Sequence, residues 1–218
     1  MPLNFFRRKK KPETLQAAPT DTRPAATRVL RTGIAFDGIT EEWRLIGRMD
    51  VEGRLSDALN RREPITIHDV RWGPMDNSGP LVDAPGLRSI DPYDLILVLA
   101  GEGSLPELSD EERAANRVHK VAYDVALEAP PFRVIGTVFM YPGSEPERLL
   151  DRATEMFVPV VDAVAMLDEQ RIGDPDVETV LVNRFYLRGV EQVDKRTGQK
   201  APRLPGQPLG GITWQDRS

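Results

Sequence analysis

The chain writes one strand twice. "WRLIGRM", from Trp43 to Met49, and "FRVIGTV", from Phe132 to Val138, each run aromatic, arginine, two aliphatics, glycine. Related blocks surround both in the same order. Ala35-Phe36-Asp37 precedes the first and Ala122-Tyr123-Asp124 the second, while Arg54-Leu55-x-Asp57 follows the first and Arg148-Leu149-x-Asp151 the second. Further on, Ile65, Ile67 and Asp69 match Val158, Val160 and Asp162, and "DPYDLILVLAG" matches "DPDVETVLVNR". Shared composition scatters such blocks and does not keep their order over about seventy residues, so the pattern reads as a tandem duplication.

That reading sets the fold class. Each unit runs strand, strand, short helix, strand, strand. "VAYDVAL" alternates Val121, Tyr123, Val125 and Leu127 on one face, as a half-buried strand does. "SEPERLLDRATEMF" places Ser144 three residues before Glu147, a capping-box spacing, with Pro146 in the first turn and Leu149, Leu150, Ala153 and Phe157 at helical intervals. The expectation is a mainly β chain with short helices (α+β): two ββαββ units related by a pseudo-twofold axis, each a small curved sheet or partial barrel. Unit one spans 31–102 and unit two 118–193. Residues 103–117 form a helical connector, opened by Ser109 with Glu112. Residues 1–30 and 194–218, rich in Pro, Ala, Thr and Gly, read as disordered tails. The long loop "WGPMDNSGPLVDAPGLRSIDPYD" has a shorter counterpart in unit two, and loops are where such copies diverge.

Charge is segregated along this plan. Residues 1–31 carry eight Lys/Arg against two Asp/Glu, and residues 194–218 carry five against two, which leaves −14 on residues 32–193 of a net −5. An acidic body repels phosphate backbones, so nucleic acid is an unexpected partner. Without cysteine there is no disulfide, thiolate nucleophile or zinc–thiolate site. The longest apolar run is "LILVLAG", too short to span a bilayer. "RRKKK" is followed by "PETLQAAPTD" rather than by the apolar stretch of a secretory signal, and a cytoplasmic location is expected.

The repeat-matched polar and glycine positions are framework candidates. Gly47 and Gly136 lie inside strands, where glycine marks a bend or a close approach. Arg54 with Asp57, and Arg148 with Asp151, stand at i,i+3 as helix-surface ion pairs or as ties from helix to sheet. Asp69 and Asp162 end matching strands, as turn caps or as paired carboxylates that meet across the axis to hold a cation or share a proton. His68 and His119 have no counterpart in the other unit, and His68 matches the apolar Val161. Asp174, Asp176 and Glu178 alternate as calcium ligands do, without the glycine and closing glutamate of an EF-hand loop. No phosphate-cradling loop, GxSxG elbow or HExxH helix occurs, so no catalytic, cofactor or metal site is expected.

The N-terminus "MPLNFFRRKKKPE" offers one contact surface. Leu3, Phe5 and Phe6 suit a lipid interface, and Arg7, Arg8, Lys9, Lys10 and Lys11 suit anionic headgroups at about 1 kcal/mol per charge. This start is similar to the aromatic-plus-basic openings of bacterial peripheral membrane proteins. The other reading is a solvated basic tail that folds onto the acidic body.

The run "IGRMDVEGRLSDALNRREPITIHDV", Ile46 to Val70, resembles short domains of uncharacterised bacterial proteins that join an Ile-x-Gly strand, an Arg-Leu-Ser-Asp-x-Leu-Asn helix and an apolar strand ending in Asp. That resemblance implies no activity. "VIGTV" with "FYLRGVEQVD" is similar to Sm-like small barrels, which implies an RNA-binding Arg-Gly element at Arg188 and Gly189. "LVLAGEGS" stands in its place in unit one. Duplicated frames with unequal loops fit a non-enzymatic interaction or scaffold protein with a protein partner. The second expectation is a regulatory module that binds a small molecule between the two units.

Overall fold

The computed structural model describes residues 33–100, 120–151, 155–174, 177–194, 197 and 199–200. The N-terminal lipid-contact residues, the 103–117 connector, His119, Asp176 and the far C-terminal segment lie outside them.

The first half is an antiparallel meander of β1 (Ile34–Ile39), β2 (Trp43–Met49) and β3 (Ile65–Pro74). Thr40 closes the first turn, its hydroxyl oxygen accepting the Trp43 N–H at 3.0 Å. The helix α1 (Leu55–Asn60) links β2 to β3. Leu55, Ala58 and Leu59, at i, i+3 and i+4, form its one buried stripe. Each of the two leucines stabilises the core by roughly 2 kcal/mol. After β3 the chain doubles back, and β4 (Val82–Asp83) and β5 (Ser89–Ile90) pair with opposite ends of β3. The long Pro/Gly loop is therefore a broken edge strand. A 3-10 turn over Pro92–Asp94, capped by the Asp91 carboxylate on the Tyr93 N–H, leads into β6 (Leu97–Ala100), which pairs with β1.

The second half repeats the meander in β7 (Val121–Ala129), β8 (Phe132–Met140) and β9 (Phe157–Leu167). The short β10 (Gln170–Arg171) folds back on β9, β11 (Thr179–Asn183) pairs with β9, and β12 (Gly189–Gln192) pairs with β7. Among the described residues the strands join one antiparallel sheet in the order β12-β7-β8-β9-β11-β6-β1-β2-β3-β4, with β10 and β5 beside β9 and β3, and it does not close on itself.

Three expectations need correction. The ββαββ plan fails in the second half: the segment between β8 and β9 is a 3-10 turn over Pro146–Leu150 whose N-cap is Glu145, without a side-chain cap bond from Ser144. Asp151 is already extended, and Phe157, expected on the helical stripe, opens β9. Next, each half uses a fifth strand. β6 lies on the first strand of its meander as β12 does, so the pairing counterpart of β6 is β12 and not β11. Finally, the halves are not two separate sheets. β6 and β11 pair directly, from Leu97↔Val182 to Ala100↔Thr179, and the described residues of both halves fall in one compact unit.

The β6–β11 pair is a wall with a core on each side. Leu97, Leu99, Val180 and Val182 face a core built with Tyr123, Val134 and Val160, whereas Val98 and Leu181 face a core built with Phe36, Leu59 and Ile67. A strand covered on both faces needs apolar residues at every position, which is why "LILVLA" shows no alternation.

Both meanders bend at the same place. The β2–β3 register slips between Ile46 and Arg48, and the β8–β9 register slips between Ile135 and Thr137. The skipped residues are Gly47 and Gly136, and opposite them Asp69 and Asp162 take left-handed φ values of 52° and 46°. A Cβ on Gly47 would stand 2.9 Å from the His68 carbonyl oxygen, and one on Gly136 would stand 2.9 Å from that of Val161, the residue before the left-handed aspartate in each case. Glycine is required at both positions by close approach.

Candidate functional site

The bulges settle where the repeat-matched residues stand. Asp69 and Asp162 do not end their strands; each is an exposed bulge residue well inside β3 or β9. Aspartate tolerates the left-handed conformation better than most residues, which accounts for it there. Arg54 is the extended N-cap of α1, and its carbonyl accepts the Asp57 N–H at 3.1 Å, while no ion pair joins the two side chains. Asp151 N–H donates to the Arg148 carbonyl in the same way, and the Asp151 carbonyl accepts Arg184 Nη1 at 3.0 Å. Burial holds the Arg184 guanidinium below its ordinary pKa. His68 is half-buried on β3 opposite Arg48. Among the described residues no group of three or more His, Asp or Glu is placed to hold a metal ion. Arg188 and Gly189 lead into β12, where the Arg188 N–H donates to the Glu128 carbonyl.

Two asparagines tie elements together. Asn60, last residue of α1, clasps the start of β9: its Oδ1 accepts the Phe157 N–H at 2.7 Å and its Nδ2 donates to the Phe157 carbonyl at 3.4 Å. Asn183 is fully buried, donating to the Leu95 carbonyl at 2.7 Å and accepting the Phe185 N–H at 3.0 Å.

The first meander carries an open aromatic rim. In the β2–β3 register Trp43 faces Pro74 and Leu45 faces Trp72, which puts both indoles on the core side of the sheet at its outer end. Their ring centroids are 4.5 Å apart with the planes tilted by 36°. Val82, opposite Trp72, extends the line onto β4. Trp43 is 39 % and Val82 52 % exposed, so this apolar line meets solvent.

Arg44 fixes the loop beside the rim. Its Nε donates to Asp37 Oδ1 at 2.9 Å and its Nη2 to Asp37 Oδ2 at 2.6 Å, while Nη1 reaches Asn77 Oδ1 at 2.7 Å. The bidentate bond to Asp37 raises the Arg44 pKa further above its ordinary value, against the opposing pull of burial. Asn77, itself left-handed at φ 58°, is thereby held to the sheet across the turn that follows β3. In that turn the Ser78 hydroxyl and N–H hold the Asp76 carboxyl below its ordinary pKa.

The same positions of the second meander are closed. By register Phe132 faces Leu167 and Val134 faces Ala165, and Phe132 and Ala165 are 1 % and 2 % exposed. A cleft of about 350 Å³ also opens beside α1, lined by residues that include Asp50, Glu52, Arg61, Glu63 and Thr66. It belongs to the first half alone, not to a groove between halves.

The sequence motifs point to the loop after Trp72 but not to the tryptophan pair. A signal for it exists: once Gly47 is set against Asp69 as a bulge, counting outward brings Trp72 beside Leu45 and Trp43 next to it. No family model, curated protein or solved structure matches the chain.

Proposed function

We propose that this is a non-enzymatic interaction or scaffold protein built from two diverged copies of one unit, and that the Trp43–Trp72 rim with residues 74–90 is where a protein partner binds. The observation that carries the reading is the exposed Trp43 indole stacked on the half-buried Trp72. Tryptophan is among the residues that dominate interface energetics, and a rim fixed by Arg44 and Asn77 loses little freedom on binding. The duplication is supported by the two glycine–aspartate bulges. The Ala-aromatic-Asp openings are out of step with them: Phe36 faces Gly47, whereas Val125 and not Tyr123 faces Gly136. Two residues is one full strand period, so a slip of that size keeps each aromatic on its own face.

The test is affinity purification with full-length protein from the native source. Proteins retained by the wild type should be lost with Trp43→Ser and kept with Tyr141→Ser, a variant at a still more exposed aromatic in the second half. Equal retention by all three removes the rim from the proposal. Peripheral membrane attachment through Leu3, Phe5, Phe6 and Arg7 to Lys11 belongs to the same reading. Co-sedimentation with anionic liposomes, lost when residues 1–12 are deleted, tests it.

The second reading is a ligand-binding regulatory module, favoured by the cleft beside α1. A metabolite that raises the melting temperature of the wild type, and less so that of Glu63→Ala, would favour it over the scaffold.

A further inference from the structure

We propose that the Trp43–Trp72 rim takes an arginine-bearing segment of a protein partner, with the guanidinium on the open face of Trp43 among the carboxylates of the surrounding turns. The proposal rests on the rim being a binding surface and names the chemistry of what binds there.

Three turns meet at this end of the first half. The β1–β2 turn holds Glu41 and Glu42 immediately before Trp43. The Glu42 carbonyl accepts the Met75 N–H at 3.2 Å, which brings in the turn after β3. The 3-10 turn joins them where the Ile96 N–H donates to the Ile39 carbonyl at 2.8 Å. Residues 40–43, 74–79 and 91–95 hold five carboxylates, Glu41, Glu42, Asp76, Asp91 and Asp94, and no lysine or arginine. All of them but Asp91 are exposed. Burial, and then the charges of Glu41 and Asp94, hold the Tyr186 hydroxyl above its ordinary pKa, so carboxylates of two different turns act on one spot.

The arginines around this end are engaged. Arg44 is held by Asp37 and Asn77. Arg62 lies over the Phe185 ring, which is itself paired with Tyr93. Arg71 stands opposite Asp83 on the face of the sheet away from Trp72 and Val82. The charge around Trp43 is therefore left negative.

The two halves differ here in charge as well as in closure. Trp43 and Phe132 hold matching positions, and Pro130 and Pro131 stand where Glu41 and Glu42 stand in the first half. An acidic turn leads into the exposed indole, and a proline turn leads into the buried ring.

A cation is drawn to such a place, and an aromatic face selects arginine among cations. The planar guanidinium is weakly hydrated and stacks flat on an indole, and its methylenes cover apolar neighbours such as Pro74 and Val82. An acidic segment meets like charge at the same surface and is rejected.

The experiment is an NMR titration of the full-length protein with a blocked Arg-Arg-Leu-Arg-Arg peptide, read at the Trp43 and Trp72 indole N–H resonances. The arginine peptide should move both. Its lysine counterpart should bind several-fold more weakly, and its glutamate counterpart should move neither. Salt at about 0.5 M should weaken the arginine peptide about tenfold. Glu41→Gln/Glu42→Gln/Asp76→Asn should weaken it by a similar factor. Asparagine keeps the acceptor that the Ser78 N–H uses, and unchanged melting of this triple variant separates loss of charge from loss of fold. Trp43→Ser should abolish the response of Trp72. The proposal is overturned if the arginine and glutamate peptides act alike, if lysine serves as well as arginine, or if the triple variant binds as the wild type does. Indole resonances that move with protein concentration alone would give the rim to a second copy, and resonances that move on removal of residues 1–12 would give it to the chain's own basic start. Either result overturns an outside partner. Native partners that depend on Trp43 yet are fully retained by the triple variant would leave the proposed function standing and remove only this inference.

Discussion

The two meanders share a register and differ at their mouths. Trp43, Leu45, Trp72 and Pro74 in the first stand where Phe132, Val134, Ala165 and Leu167 stand in the second. The first set ends in an exposed Trp43 stacked on a half-buried Trp72; in the second, Phe132 and Ala165 are sealed in the core. The shared bulge shows what the fold requires, and the mouth shows what it leaves open to change. In the first half one indole, that of Trp43, is left at the surface, whereas in the second the Phe132 ring fills the interior.

The comparison can be broken most sharply at its aromatic pair. Phe132→Ala should cost about 3–5 kcal/mol, as expected for an aromatic ring removed from a packed core. Trp43→Ala should cost less, about 1–2 kcal/mol, because about two-fifths of that residue is already in water. Urea denaturation of the two variants reads the difference, and equal losses would mean that the first mouth is as much core as the second.

The bulge glycines come next. A Cβ on Gly136 meets Val160 Cγ1, the Val161 carbonyl oxygen and Ala163 Cα at 2.8, 2.9 and 3.0 Å. On Gly47 the approaches are 2.9, 3.2 and 3.2 Å. Gly136→Ala should therefore lose about 3 kcal/mol and Gly47→Ala about 2, in the range for forced overpacking. A reversed order in thermal melts would show that the first bulge is the more rigid.

The arginines of the repeated strand differ more gently. Arg44 is bonded through two nitrogens to Asp37, with side-chain exposures of 15 % and 16 %, while Arg133 meets Glu128 at 3.2 Å with both partners about two-fifths exposed. Arg44→Ala should cost about 2 kcal/mol, since it strands a largely buried carboxylate. Arg133→Ala should change stability by less than about 0.5 kcal/mol. High salt should leave the first difference in place, and its disappearance in salt would refute the buried pair. The smallest effect belongs to the aspartates: Asp69→Gly and Asp162→Gly should lie within about 0.5 kcal/mol of the wild type, and the valine variants about 1–2 kcal/mol below it. A marked loss with glycine would give the carboxylates a role beyond the turn of the chain.

Which of these features the sequence displays depends on how local their cause is. Gly47, Gly136 and the alternating strands are set by steric rules between near neighbours, and they stand out as a repeated pattern. The β6 run of apolar residues announces a strand covered on both faces. What covers it, β11 from the other half, is decided by contacts across about eighty residues, and no short pattern encodes those. The same holds for Asn60, which looks like the end of a helix motif until Phe157 arrives from the far half to meet it. The second helix failed for a local reason: a capping spacing and apolar intervals were present, but extended residues at Glu145 and Asp151 left room for only a 3-10 turn. For the candidate site, the loop after Trp72 was visible as a difference between the two halves of the sequence. The indole pair on its flank needed the register.

The wall formed by β6 and β11 gives the two halves the relation of subunits within a single chain. Each half alone would end in an open strand edge flanked by apolar residues, the form in which isolated strands recruit others. A chain cut between residues 101 and 119 should therefore yield two fragments that aggregate apart and reassemble when made together, as a heterodimer whose interface is a continuous sheet.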